Sequence, residues 1–128
     1  MTTTVNITKA LGKLDRTNKA AVFAVKNGLR EAGVRVLKEV RASIKGSRAE
    51  PRSIKTGLFR GSTYVDMKEL SHLRVSVRPR VAYAKFLEYG TMYFRPRRHF
   101  RNSAARMQKP IKRYFSTYVK SQVRRASR

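Results

Sequence analysis

The feature that most constrains this fold is a long helical repeat of apolar residues in the first third of the chain. Apolar side chains recur there at intervals of three and four residues, which is the spacing of one buried helix face and not the alternation of a strand. We therefore predict a single helix from Thr17 or Asn18 to about Ile44, roughly 40 Å long at 1.5 Å per residue. The stripe consists of Val22, Val25, Leu29, Ala32, Val36, Val40 and Ile44.

Two glycines interrupt this predicted helix, Gly28 and Gly33. Each costs about 1 kcal/mol relative to alanine in a helix interior. They mark either a close approach of a neighbouring element or positions where glycine is merely tolerated, and the sequence favours neither reading.

The remaining elements predict an α+β domain. Helical spacing returns from about His99 to Arg124, where Pro110 is expected to kink or break the helix. Alternating residues at 63–67 and 72–77 indicate a β-hairpin, and residues 3–7 a short strand. We predict one domain over residues 1–128, a small antiparallel sheet packed with a long N-terminal helix and a basic C-terminal helix from about residue 99.

Three shorter segments connect these elements. Residues 45–55, KGSRAEPRSIK, contain one large apolar residue and are expected to form a solvent-exposed loop. TGLFRGS (56–62) offers Thr56 as the N-cap of a single helical turn. VAYAKFLEYGT (81–91) fits a short helix with Gly90 as its C-terminal stop.

Net charge is the strongest compositional signal. Thirty-one Lys and Arg stand against seven Asp and Glu, which gives +24 at pH 7. Such an excess repels the compact state and indicates a polyanionic partner or an acidic protein neighbour. Glu88 is the last acid, and twelve basic residues follow from Arg95 onward.

Composition also argues against several classes of protein. The chain has no cysteine, which excludes disulfides and thiolate metal sites. The N-terminus lacks a signal-peptide apolar region, and the longest helix-compatible apolar run, residues 20–25, is too short for a membrane span. We expect synthesis in the cytoplasm and no membrane partner.

Candidate catalytic groups are sparse. Asp66 and Glu69 are the only close acidic pair, and we expect them to be solvated, while His72 and His99 each stand alone. The Gly-Lys pair in LGKL (11–14) lacks the rest of a phosphate-binding loop. We predict no enzyme activity, no metal and no cofactor.

Two short motifs, in this order and ahead of a terminal helix, resemble the neck and tail-completion proteins of tailed bacteriophages, often described as minor tail or head–tail joining components. One extra residue, Phe59, separates Leu58 from Arg60 in the first motif. The matching residues are Thr56, Gly57, Leu58, Arg60 and Ser62, then Tyr83, Ala84, Phe86, Leu87, Glu88, Tyr89, Gly90 and Thr91, with Pro96, Phe100, Ala104 and Ala105.

The resemblance implies a structural virion protein without catalysis. Its subunits would form a homo-oligomeric ring, hexameric in a symmetric neck, around the DNA channel at the head–tail junction. Its partners would be the adjoining head-closure or adaptor proteins, the tail-terminator or tail-tube proteins, and packaged double-stranded DNA. Contacts to DNA or to acidic partners would fall on Arg95, Arg97, Arg98 and Arg101.

The resemblance also suggests why so basic a chain keeps an acid inside YAKFLEYGT. We expect Tyr83, Phe86 and Leu87 to pack inward and Gly90 to let the chain reverse. Glu88 would pair with an arginine, either Arg60 in the same subunit or one of FRPRRHFR (94–101) across a subunit boundary.

Charge limits what DNA alone could neutralise in such a ring. Six copies at +24 carry +144, whereas about 40 Å of duplex offers only about 24 phosphates. We therefore expect acidic surfaces on adjoining proteins opposite residues 95–128.

Two other classes remain open. A basic nucleic-acid-binding protein of ribosomal or nucleoid type would explain the composition but gives YAKFLEYGT no role. A small nuclease is the third reading.

Overall fold

The computed structural model describes residues 3–6, 19–53 and 57–126 and confirms an α+β fold. Two long helices, two short helices, three strands and one 3₁₀ turn at Leu70–His72 make up the described part. In chain order they are β1 (Thr3–Asn6), α1 (Lys19–Lys45), α2 (Leu58–Ser62), β2 (Tyr64–Asp66), β3 (Arg74–Arg78), α3 (Ala84–Tyr89) and α4 (His99–Ala126).

The sheet is antiparallel throughout, with strand order β1-β3-β2. The predicted hairpin is confirmed, since Val65 of β2 lies opposite Val77 of β3. β1 pairs with the other edge of β3 and sets Val5 opposite Val75. β3 is therefore the central strand, and Val75 and Val77 are fully buried beneath α1.

The core lies between α1, α4 and the sheet. The predicted stripe on α1 is buried from Val25 to Ile44. Phe100, Ile111 and Phe115 of α4 close the core from the other side. Within the described residues, no helix combines the length and the apolar character that a bilayer crossing requires.

The two glycines of α1 both mark close packing. A Cβ built on Gly28 would lie 2.9 Å from the Phe115 ring of α4. A Cβ on Gly33 would lie 2.8 Å from Val75 Cγ1 and 2.9 Å from Val65 Cγ1, both in the sheet. Glycine thus lets α1 approach α4 and the sheet at once.

Of the two outcomes expected at Pro110, a kink or a break, the break does not occur. α4 runs continuously from His99 to Ala126 with Pro110 inside it. The proline is exposed, and the buried side chains on either side, Met107 in part and Ile111 fully, hold the helix against α1. Packing therefore outweighs the hydrogen bond that proline cannot donate.

The segments that connect α1 to β2 differ in part from the expectations. The loop after α1 is not exposed throughout, because Glu50 is buried at 5% exposure. The position before α2 is occupied by Gly57 with φ 80°, without a side-chain cap. The predicted cap Thr56 and the predicted helix start at Thr17 or Asn18 lie outside the described residues.

Alanine at Gly33 is expected to destabilise the protein. The added methyl meets two valines of the sheet below 3 Å, an overpacking that typically costs 1–3 kcal/mol and exceeds the gain of about 1 kcal/mol in helix propensity. We expect Gly33→Ala to lower the free energy of unfolding in urea by up to about 2 kcal/mol. Gly61→Ala, where nothing lies within 4 Å, is the control and should be neutral or slightly stabilising.

Candidate assembly surface

The short helix α3 presents its aromatic residues to solvent and not to the core. Ala84 and Glu88, one turn apart, are its buried residues. Tyr83, Phe86 and Tyr89 are 42%, 48% and 63% exposed, so the prediction that Tyr83 and Phe86 pack inward is wrong. Leu87 is partly buried against the core, as expected. Hydrophobicity alone did not reveal which side of this one-and-a-half-turn helix faces inward, because both sides carry apolar residues.

Glu88 reaches inward to the start of α4. Its Oε2 accepts a hydrogen bond from the main-chain N–H of Phe100 at 3.0 Å, and its Oε1 accepts one from that of Arg101 at 2.9 Å. These are N–H groups of the first helical turn, which have no partner inside their own helix. A carboxylate there also interacts favourably with the helix dipole. Glu88 therefore performs for α4 the task of an N-cap side chain.

The first expected partner of Glu88, Arg60 in the same subunit, is wrong, whereas an arginine of residues 94–101 across a subunit boundary stays a prediction. Within the described residues both carboxylate oxygens are occupied by main-chain N–H groups, and Arg60 is exposed on α2. A capping side chain was needed from elsewhere because Arg98, immediately before α4, has φ 53° and no carboxylate or hydroxyl oxygen.

Gly90 and Pro96 close the segment between α3 and α4 into a tight turn. Gly90 ends α3 with φ 78°, and its N–H donates to the Phe86 carbonyl at 2.8 Å. A Cβ at this position would lie 2.7 Å from the nitrogen of Pro96. The Arg97 N–H then donates to the Leu87 carbonyl at 2.8 Å. Both ends of the segment are thus fixed to α3.

This fixed base presents an exposed aromatic tip, defined here as residues 89–94. Met92 and Tyr93 are each 88% exposed and Phe94 is 36% exposed. Thr91 shapes the turn, since its Oγ1 accepts from the Tyr93 N–H at 3.1 Å and its own N–H donates to the Phe94 carbonyl at 3.0 Å. Exposed apolar clusters of this kind mark interaction surfaces.

A buried polar network lies beneath the start of α4. Ser43 Oγ donates to Glu50 Oε1 at 2.9 Å and lies 2.7 Å from His99 Nδ1. His99 Nε2 lies 2.7 Å from Ser53 Oγ, which also accepts from an Arg97 guanidinium N–H at 2.8 Å. The pattern requires the tautomer with hydrogen on Nδ1, so that Nε2 accepts from the Ser53 hydroxyl.

Arg106 of α4 ties this network to the surface. Its guanidinium donates to Glu39 at 2.9 Å and contacts Glu50 at 2.7 Å. Arg48 completes the cluster by pairing with Glu39 at 2.8 Å. The loop at 46–53 is thereby held between α1 and α4.

Burial sets the protonation state of His99. Loss of solvation lowers its pKa to about 4, which keeps the imidazole neutral at pH 7. Burial alone would raise the pKa of Glu50, but hydrogen bonds from Arg106 and Ser43 outweigh it and hold that pKa below its usual value. The network therefore consists of a neutral histidine and ionised carboxylates neutralised by arginine.

The predicted contact arginines occupy different environments. Arg95, Arg98 and Arg101 are exposed. Arg97 is partly buried, and its guanidinium donates to the Arg52 carbonyl at 2.9 Å as well as to Ser53. Arg97 thus supports the fold directly, whereas the other three present their charge to solvent.

Within residues 57–62 and 83–91, the two sequence motifs meet through ring packing. Gly57 lies before α2, where Leu58 is 57% exposed and Phe59 is buried. The Phe59 ring lies 6.1 Å from that of Tyr83, which is the ring contact between the motifs. No cluster of three or more metal-ligating side chains occurs among the described residues.

Sequence reasoning missed the polar network. Ser43 and Ser103, both fully buried, sit within helical stripes that we read as apolar. The one sequence feature that could have indicated the network is Glu50, the single acidic residue of a basic loop. Glu69 is exposed, as expected, and pairs with Arg74 at 3.3 Å. Asp66, also expected to be solvated, is partly buried and pairs with Arg78 at 3.0 Å.

The sequence matches, over residues 6–90, the HK97-gp10-like family described as "Bacteriophage HK97-gp10, putative tail-component". Two thirds of the chain are covered, and the chain belongs to this family of tailed-phage tail components. The match spans α1 to α3 and ends at Gly90, within the first two residues of the aromatic tip and before α4. No curated protein and no solved structure matches the chain.

Removing the Glu88 carboxylate is expected to destabilise the protein strongly. Glu88→Ala leaves two main-chain N–H groups at the start of α4 without their acceptor in a buried position. We expect a loss of about 2–3 kcal/mol in urea unfolding, since such bonds to a charged group typically contribute 1.5–3 kcal/mol. Glu88→Gln, which keeps one acceptor oxygen, should lose less. A Glu88→Ala protein with a wild-type unfolding midpoint would contradict the capping role.

Protonation of His99 is expected to weaken the fold in acid. Because burial lowers its folded pKa to about 4, the unfolded chain binds a proton more readily between pH 6.5 and 4, and stability falls as pH falls through that window. We expect a loss of about 1–2 kcal/mol between pH 7.5 and 5. His99→Gln should reduce this pH dependence, and an unchanged slope of stability against pH would contradict the assignment.

Proposed function

We propose that this chain is a structural virion subunit that assembles into a ring at the head–tail junction of a tailed bacteriophage, around the DNA channel. Membership of a tail-component family supports a virion role. The observation that carries the proposal further is the aromatic tip, where Met92 and Tyr93 are each 88% exposed on a base fixed by Glu88 and Gly90.

The composition of the tip suits contact between identical, highly basic subunits. Each of the six acidic residues described by the structure already contacts a basic side chain or a main-chain N–H of its own chain: Glu31, Glu39, Glu50, Asp66, Glu69 and Glu88. The described part of the chain therefore offers few carboxylates for ion pairs between copies. Aromatic packing and arginine–aromatic contacts need no carboxylate.

Arginine–aromatic contacts already occur within the chain. The Arg35 guanidinium lies 3.8 Å from the Tyr114 ring centre, and that of Arg80 lies 4.0 Å from Tyr64. Arg95 and Arg98 flank the aromatic tip and are exposed. The same contact across a subunit boundary would join copies head to tail, which is the arrangement that closes rings.

In this proposal the ring is hexameric and lies between the head-closure or adaptor proteins and the tail-terminator or tail-tube proteins. Its work is assembly and retention of packaged DNA, with no catalytic step.

Native mass spectrometry tests the ring. The protein is treated with nuclease at high salt and measured alone and with purified tails. We expect a closed oligomer, or a monomer that becomes part of a ring on tails. Met92→Ser combined with Tyr93→Ser should keep the fold, because both side chains are exposed, and abolish association.

The matched control substitutes exposed apolar residues of other elements, Phe23→Ser with Met67→Ser, and should still assemble. A wild-type protein that stays monomeric with tails and is missing from virions would overturn the proposal. The alternative of a ribosomal or nucleoid-type nucleic-acid-binding protein would then be favoured by the charge of +24.

A further inference from the structure

The outer face of α4 carries a line of exposed cations that no contact described above uses. Its members are Arg101, Lys109, Lys112, Arg113 and Lys120. At 100° per residue they fall within an arc of about 120°, on the side of the helix away from Phe100 and Ile111. They extend over about 28 Å of helix at 1.5 Å per residue. We call them the cationic stripe.

We propose that the cationic stripe is a binding site for the sugar-phosphate backbone of double-stranded DNA, without sequence preference. The inference goes beyond the ring and does not depend on it, because the site is complete within one subunit. It also lies outside residues 6–90, over which the family match extends.

The cationic stripe has no acidic residue on its own helix to balance its charge. No acidic residue follows Glu88 in the sequence, so α4 contains none. The six described acids are engaged elsewhere in the chain, and a second copy brings the same engaged acids. This distribution of charge favours a polyanionic partner different from this chain.

The residue types along the cationic stripe favour nucleic acid over an acidic protein surface as its partner. The exposed residues between the cations are small or polar, among them Ala105, Gln108 and Ser116. Protein interfaces bury aromatic anchors and are depleted in lysine, whereas the stripe is lysine-rich and its helix keeps Tyr114 and Tyr118 half-buried and stacked on each other. A phosphate backbone needs only positive charge and hydrogen-bond donors.

The lack of exposed aromatic side chains along the cationic stripe favours double-stranded over single-stranded nucleic acid. Single-stranded nucleic acid is held by stacking its bases on exposed aromatic side chains, and the stripe presents none. A duplex offers one phosphate charge per roughly 1.7 Å. The stripe's length of about 28 Å therefore faces about 16 phosphates, more than enough for five cations.

Fluorescence anisotropy with a 30-base-pair duplex of mixed sequence, between 50 and 300 mM salt, tests the site. Five phosphate contacts predict a slope of log K against log salt of about −4.5. Replacing Lys109, Lys112 and Lys120 together by Gln should make that slope shallower by about 2.7 and weaken binding at least tenfold at 150 mM salt. The corresponding triple Lys→Arg variant keeps the charge and should keep the binding.

The control removes three exposed lysines from other elements, Lys38→Gln, Lys45→Gln and Lys68→Gln. This control and the triple Lys→Gln variant of the stripe carry the same net charge. A salt slope that stays near the wild-type value in the control therefore assigns binding to the stripe. Equal effects of the two variants would show that only overall charge matters and would overturn the proposal. Absence of duplex binding by the wild-type protein would overturn it too.

Two further measurements separate the alternatives. Polyglutamate that binds as tightly as the duplex at equal charge concentration, through the same three lysines, would assign the stripe to an acidic protein surface and overturn the proposal. The Met92→Ser, Tyr93→Ser variant should still bind duplex, since its tip lies outside the stripe. DNA binding and ring formation can therefore fail independently.

Discussion

The rest of this structure depends on one carboxylate placed at the start of one helix. Glu88 accepts from two main-chain N–H groups at the beginning of α4, 3.0 and 2.9 Å away. The residue before α4, Arg98, cannot cap it. Without Glu88 the helix that closes the core would begin with unsatisfied N–H groups at a buried position. The same contact fixes α3 to α4 and so determines where the loop between them can go.

That loop is where the fold exposes its aromatic residues. Gly90 and Pro96 approach so closely that no side chain fits between them, and Arg97 returns the chain to the Leu87 carbonyl. A short loop held at both ends loses little further conformational entropy when its tip is buried, which favours binding. The acid in the middle of YAKFLEYGT is therefore a support for the tip, although its own side chain is hidden.

Sequence reasoning succeeded where periodicity decides the structure and failed where polar groups decide it. The stripe on α1, the hairpin and the stop at Gly90 were all predictable, because helical spacing, strand alternation and glycine each have a local cause. The partner of Glu88 was not, since main-chain N–H groups leave no trace in the residue types. Ser43, Glu50 and His99 likewise meet only through folding, and the exposure of Phe86 depends on how α3 is rotated against α4.

The distribution of charge links the two proposals. If six copies at +24 pack through their aromatic tips, one ring carries a charge of +144. Contacts between neighbouring copies must then overcome the repulsion between their positive charges. Salt screens exposed charges beyond about 8–10 Å at physiological strength. In the proposed ring each tip would bring the exposed Arg95 and Arg98 of its own chain close to the next copy. A polyanion along the cationic stripe would remove much of this repulsion at its source. Ring closure would then be favoured by bound DNA and disfavoured in the isolated subunit. Such a coupling would make assembly of the proposed ring depend on the presence of DNA.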